Sequence, residues 1–281
     1  MHTRVRTAGW VLKWGWICII SGAFSAADTA WAQSSAVDVG EASRLRKIVP
    51  AEALERSADE QYRALLGNAR QAGRLVPSTD PRAQRLRAIA ADLLPHVEQW
   101  NPQARQWRWE VALIDQPTIN AFCMPGGKIA FFTGIVDQLK LTDDEIAVIM
   151  GHEMAHALRE HARERVAKEQ LTGVGASLLA GLLGLGDLGR SAIGAGAQLM
   201  SLKFSRDDEI EADRVGLEIS TRAGYHPRAG VSLWKKMQAA QRGAPAQWLS
   251  THPSGDRRVQ EMQALQDKLM PLYRQAPQRS R

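Results

Sequence analysis

Three residues in the stretch MGHEMAHALREH, residues 150–161, have the types and spacing of a hydrolytic metal site. His152 and His156 are four apart. On a helix that spacing puts both imidazoles on one face, where each reaches a single zinc ion at about 2.0–2.1 Å. Glu153 is rotated by one position, so it ligates poorly but reaches a metal-activated water as general base. Peptide bonds are poor electrophiles, and the water needs that help. Zinc lowers its pKa and polarises the carbonyl, while the carboxylate carries the proton to the leaving amine. H-E-x-x-H is short enough to arise by chance, so the reading depends on a third ligand.

A third histidine at the common spacing would be residue 162, which is alanine, and Arg159 stands where the accompanying glycine would be. His161 is five past His156 and is expected to be a polar surface residue pointing away from the metal. The stretch SRDDEIEADRVG supplies Glu209 and, four residues later on the same face, Asp213. By itself this run would pass for a solvated acidic helix. Beside the histidines it offers Glu209 as third ligand, with Asp213 accepting from a ligand histidine N–H and fixing its tautomer. Asp208 and Glu211 are read as solvated, with Glu211 the substitute if Glu209 does not ligate.

These side chains need a helix to hold them. LTDDEIAVIMGHEMAHALREHARERVAKEQ opens with a T-x-x-E capping box, Thr142 to Glu145, and three acids in its first turn, where the helix dipole favours them. One helix is expected to run through the motif. Earlier, AEALERSADEQYRALLGNARQAG (51–73) reads as a helix. RAQRLRAIAADLLPHVEQW (82–100) carries a buried face at three- and four-residue spacing, with Pro95 disturbing its end. WRWEVALID and TINAFCMPGGKIAFFTG alternate in the manner of strands, and Pro125-Gly126-Gly127 marks a turn between two of them. The expected fold is mainly α with a small β-sheet of three strands. Helical blocks resume after residue 203.

The first 32 residues have the order of a secretory signal: Arg4 and Arg6, an apolar run over 9–24, then Ala30-Trp31-Ala32 as cleavage site. An uncleaved anchor is the alternative. A lipoprotein reading of Cys18 is weaker, because no small residue precedes it. The expected divisions are a signal over 1–32, a helical segment over 33–80, a catalytic domain over 81–273 and a polar tail over 274–281. After cleavage Cys123 is the one remaining thiol, so there is no internal disulfide, and it reads as a small buried hydrophobe. Residues 172–200 are apolar and rich in Gly and Ala, but Asp187 and Arg190 interrupt them short of a membrane span. They read as a mobile lid, or as a peripheral membrane contact. Of the 281 residues 36 are Lys or Arg and 30 are Asp or Glu, a net +6 with a pI of about 9.6. The positive charges are scattered and no nucleic-acid signature accompanies them, so nucleic acid is not expected as a partner.

H-E-M-A-H followed by S-R-D-D-E-I-E-A-D resembles the metallopeptidase family that includes HtpX and the CAAX prenyl proteases, particularly its soluble exported bacterial branch and the Oma-type proteases. INAFCMPGGKIAFFTGIV is similar to that family's segment ahead of the metal helix, and STHPSGDRRV to its late T-H-P-x-x-x-x-R segment. The resemblance covers about residues 85–270. It implies a gluzincin-type zinc endopeptidase with ligands His152, His156 and Glu209 and base Glu153. It also implies that Asn120, Ala121, Phe122, Cys123 and Met124 form an edge strand binding extended substrate by strand addition. His252 would lie over the metal, as a latch in the open position or as a donor to the oxyanion. Unfolded or outer-membrane polypeptides in the periplasm are the expected substrates. The rival is a zinc-stabilised chaperone or assembly factor with little proteolysis, against which the intact Glu153 argues.

Overall fold

The computed structural model describes residues 35–171, 199, 202–241, 247–253 and 255–277. The signal-like segment 1–32 and the apolar segment 172–200, apart from Leu199, lie outside the described residues. A 3-10 turn at Arg44–Ile48 leads into helix α1 (Ala51–Gln71), and α2 (Pro81–Leu93) follows. Asp80 caps α2 by accepting from Arg82 N–H, and Pro81 sits where a helix tolerates proline. As expected, the chain tightens into a 3-10 turn at Leu94–His96, around Pro95.

Strands β1 (Glu110–Ile114), β2 (Ala121–Met124) and β3 (Lys128–Phe132) form one sheet in the order β1-β3-β2. β1 runs parallel to β3, and β2 antiparallel, with Phe122 opposite Ala130. The β2–β3 connection needs two left-handed residues, and Gly126 and Gly127 supply them at φ +78° and +79°. A Cβ on Gly127 would meet the Trp109 ring at 2.7 Å. Central β3 is buried throughout, and β2 is left at an edge.

Short helix α3 (Thr133–Asp137) leads to α4 (Asp143–Leu158). Both halves of the Thr142–Glu145 capping box are present. Among the residues of α4, those from Glu145 to Leu158 are all buried. A helix enclosed on every side lies in a core rather than on it.

The single long helix expected through the motif is broken. Glu160 adopts φ +59°, α4 ends, and α5 (His161–Leu171) starts in a new direction. No Gly or Pro marks the break. Glu160 is held instead by ion pairs to Arg46 at 3.0 Å and Arg163 at 2.7 Å, contacts that exist only in the folded chain.

The remaining helices are α6 (Arg206–Arg222), α7 (Ala229–Gln241), the short α8 (Gln247–Thr251) and α9 (Asp256–Gln275). Ser205 and Asp208 form a capping box at the start of α6, so Asp208 is a capping residue rather than a merely solvated one. Helices α4 and α6 meet through two glycines. A Cβ on Gly151 would lie 2.6 Å from Gly216 O, and one on Gly216 would lie 2.4 Å from His152 N. Side chains are excluded there, so the backbones touch. No helix among the described residues is long and apolar enough to cross a membrane.

Gly216→Ala should therefore force α4 and α6 apart and destabilise the protein by about 1–3 kcal/mol, the usual cost of overfilling a packed core. Urea unfolding measures it. A variant as stable as the wild type would mean that the helix contact yields freely.

Candidate metal centre

The close approach of α4 and α6 brings Glu209 beside both motif histidines. His156 Nε2 lies 3.1 Å from His152 Nε2 and 3.3 Å from Glu209 Oε1. His252, just past α8, points Nδ1 into the same space, 3.3 Å from His152 Nε2 and 2.9 Å from Glu209 Oε1. All four residues are buried, and one ligand atom from each lies within 4.8 Å of the others. Four donors at about 2.0–2.1 Å from one zinc would be separated by about 3.3 Å along the edges of the tetrahedron. The four separations above, from 2.9 to 3.3 Å, are close to those edges.

Ligands must bind deprotonated, and the protonation pattern suits a cation at His156 and Glu209 but not at His252. Burial holds the His156 imidazole well below its ordinary pKa, against the opposing pull of Glu209. Burial alone would raise the Glu209 carboxyl, but the charge of His252 and the hydrogen bond with His156 hold it well below the usual range. His252 is raised: desolvation opposes its charge, and the carboxylates of Glu153 and Glu209 outweigh that.

Around these four stands an outer layer. Asp213 Oδ1 is 3.0 Å from His152 Nδ1, near enough to pair with it, although the nitrogen is not aligned for a hydrogen bond. Asp213 thus stands beside His152, without the expected hydrogen bond from the imidazole N–H. His161 is a correction: it is buried, and its Nδ1 lies 2.9 Å from His156 Nδ1. The break at Glu160 is the reason, because it folds the next residue back over the motif instead of continuing the helical phase. If His156 donates from Nδ1 to His161, its Nε2 lone pair is left for the cluster. Glu211 is corrected too. It pairs with Arg159 and approaches His161 within 3.7 Å, rather than standing free in solvent, and it takes no place in the cluster. Phe204 stacks on His156 with ring centroids 3.9 Å apart.

Glu153 stays outside the donor set, as its helical phase requires. It is buried, its Oε1 accepts from Trp248 Nε1 at 2.6 Å, and His252 Nε2 is 3.6 Å away. The Trp248 ring stacks on His252 at 4.7 Å and 19°. Arg258, in the first turn of α9, donates to both oxygens of Asp213 at 2.5 and 2.7 Å. It also lies 2.5 Å from Glu209 Oε2. Neither residue followed from sequence reasoning, though both had signals: Trp248 precedes His252 by one helical turn, and Arg258 closes the T-H-P-x-x-x-x-R segment.

The strand residues 120–124 run along the edge beside α4. Phe132 N–H donates to Asn120 O, which assigns the backbones of 120, 122 and 124 to β3 and turns those of Ala121, which is buried, and Cys123 away from it. Asn120 turns its side chain onto the Ala121 N–H at 3.0 Å. Phe122 and Met124 are buried in the core. Cys123 is half-buried, and burial first, then the charge of Glu153, pushes its thiol pKa well up, so it is not a ready nucleophile. β2 packs against α4, the helix that carries Glu153.

The sequence is also similar to known proteins. Residues 80–266 match the profile described as Peptidase family M48. The chain is 36% identical to a mitochondrial metalloendopeptidase OMA1 of Arabidopsis thaliana over 59% of this chain and 34% of that protein. It is 30% identical to the beta-barrel assembly-enhancing protease of Yersinia pestis, over 57% of this chain and 35% of the relative. It is 27% identical to the metalloprotease LoiP of Escherichia coli, over 67% of this chain and 72% of the relative. The chain thus spans about a third of the length of the first two of these relatives. The family's profile covers well over half of this sequence, including both motif histidines, Glu153, Glu209 and His252, and this protein belongs to Peptidase family M48.

Proposed function

We propose that the protein is a zinc-dependent metalloendopeptidase acting on exposed or misfolded polypeptides of the cell envelope. One observation carries the reading. A buried four-donor cluster with tetrahedral spacing stands beside a buried carboxylate, Glu153, that belongs to no ligand set. His152, His156 and Glu209 would hold the ion. Zinc, when bound, supplies Lewis acidity to a water and to the scissile carbonyl. Glu153 takes the proton from that water and returns it to the leaving amine, since its carboxylate faces the cluster from the next helical position. Asp213 orients His152, and His161 with Phe204 fixes the His156 ring. The half-buried Cys123 backbone offers an extended substrate a strand partner along β2, beside the helix that carries Glu153.

The segment 247–253 holds this machinery at rest. His252 Nδ1 completes the donor set, in the position a substrate or water would need. Trp248 Nε1–H occupies Glu153 Oε1, and Trp248 N–H takes Ile119 O at 3.1 Å, the carbonyl just ahead of β2. Ligand, base and strand edge are engaged by one short segment. We read it as a latch that substrate displaces.

Export rests on the sequence: the Arg4/Arg6 start, the apolar run and Ala30-Trp31-Ala32. The envelope substrate class follows from that and from relatives such as the beta-barrel assembly-enhancing protease.

Glu153→Gln should leave bound zinc unchanged and lower casein hydrolysis by about 10²–10⁴-fold, the usual contribution of a positioned general base. Equal activity would remove Glu153 from the mechanism. A chelator should abolish wild-type hydrolysis, and added zinc should restore it.

His252→Ala should raise basal hydrolysis severalfold if the segment is a latch. Trp248→Phe, which keeps the ring but removes the N–H that holds Glu153, should act in the same direction. A fall in kcat in His252→Ala at unchanged KM would assign His252 to the oxyanion instead.

A further inference from the structure

Arg258 is 4% exposed, and one guanidinium contacts three separate parts of the site. Its Nε and Nη2 grip Asp213, the partner of His152. Its Nη1 donates to the Pro253 carbonyl at 3.1 Å, one residue past His252, and lies 2.5 Å from Glu209 Oε2. The guanidinium plane rests over the Trp234 ring at 4.1 Å. Burial works against its charge, and Asp213 and Glu209 more than offset that, so the group stays a cation.

We propose that Arg258 is a positioning residue that turns Glu209 so that only Oε1 is offered to the metal. The inference rests on reading the four-residue cluster as a metal site. A carboxylate can bind a cation through one oxygen or two. Here Oε1 lies 3.3 Å from His156 Nε2 and 2.9 Å from His252 Nδ1, whereas Oε2 lies 2.5 Å from Arg258 Nη1 and 3.6 Å from His152 Nε2. The same side chain fixes Asp213 behind His152 and anchors the backbone that delivers His252. Two carboxylates of α6 and the loop that delivers His252 thus share one rigid reference. Only a planar fork does this, because a lysine ammonium is a point charge on a flexible stem.

Charge and geometry make opposite predictions. If Arg258 acted only as a cation near the ligands, it would repel the metal. Arg258→Gln would then bind zinc more tightly, and Arg258→Lys like the wild type. If Arg258 positions the ligands, both variants should bind more weakly, by about 10–100-fold as for other partners behind metal ligands.

The experiment is zinc competition against a chromophoric chelator, on the full chain and both variants, with the visible spectrum of the Co2+-loaded proteins. Wild type should bind one ion. Both variants should bind it 10–100-fold more weakly. Their Co2+ absorption should fall as Glu209 becomes free to add its second oxygen and raise the coordination number. Weaker folding alone would not change that spectrum. Wild-type affinity and spectrum in Arg258→Lys, or tighter binding in Arg258→Gln, overturns the positioning role. If Arg258→Gln fails to fold, Arg258→Lys decides alone. Failure of the wild type to bind zinc overturns the metal-site reading and this inference with it, a result distinct from loss in the variants only.

Discussion

Two helix backbones in direct contact are the constraint on which the site depends. Gly151 and Gly216 face each other with no room for a Cβ on either side. The contact lies one residue before His152 and within two turns of Glu209 and Asp213. Larger residues there would push the helix axes apart toward the separations of about 8–10 Å that ordinary side chains impose. Glu209 would then no longer reach His156. The capping boxes at Thr142 and Ser205 set where each helix begins, and so the phase with which each presents its ligands.

Electrostatics is the second constraint. Glu153, Glu209 and Asp213 are all buried, and buried carboxylates are costly unless paired. Arg258 answers for two of them, and Trp248 hydrogen-bonds the third. Three carboxylates against one guanidinium leave an interior that favours a further cation, and the donors that converge there are the ones zinc prefers. Stability and chemistry therefore draw on the same groups. A substitution in the outer layer acts on both, which is why affinity and folding have to be measured separately.

The segment 247–253 links the metal helix, the base and the edge strand. It is held by the stack of Trp248 on His252, by hydrogen bonds from the Trp248 indole and backbone, by His252 Nδ1 on Glu209 and by Arg258 on the Pro253 carbonyl. Trp248 and Leu249 are buried in the core, so displacing this short segment has to draw them out of it. The ligands on α4 and α6 are carried by elements that cannot shift without unpacking that core.

His152, Glu153, His156, Glu209 and Asp213 were legible in the sequence because each assignment rests on local periodicity. Residues four apart share a helix face whatever surrounds the helix, and capping signals locate its start. The small sheet and the Gly126–Gly127 turn were legible for the same reason, since alternation and left-handed glycines are short-range signals. The break at Glu160 was not, because no breaker residue marks it and one of the ion pairs that hold it comes from Arg46, far away in the sequence. With the break went the position of His161, which an unbroken helix would have turned outward. Arg258 and Trp248 were hidden similarly: an arginine and a tryptophan in a polar stretch look like surface until tertiary packing closes over them. Local spacing determined which residues could share a face, and only the packing of α4 against α6 and α9 decided which faces met.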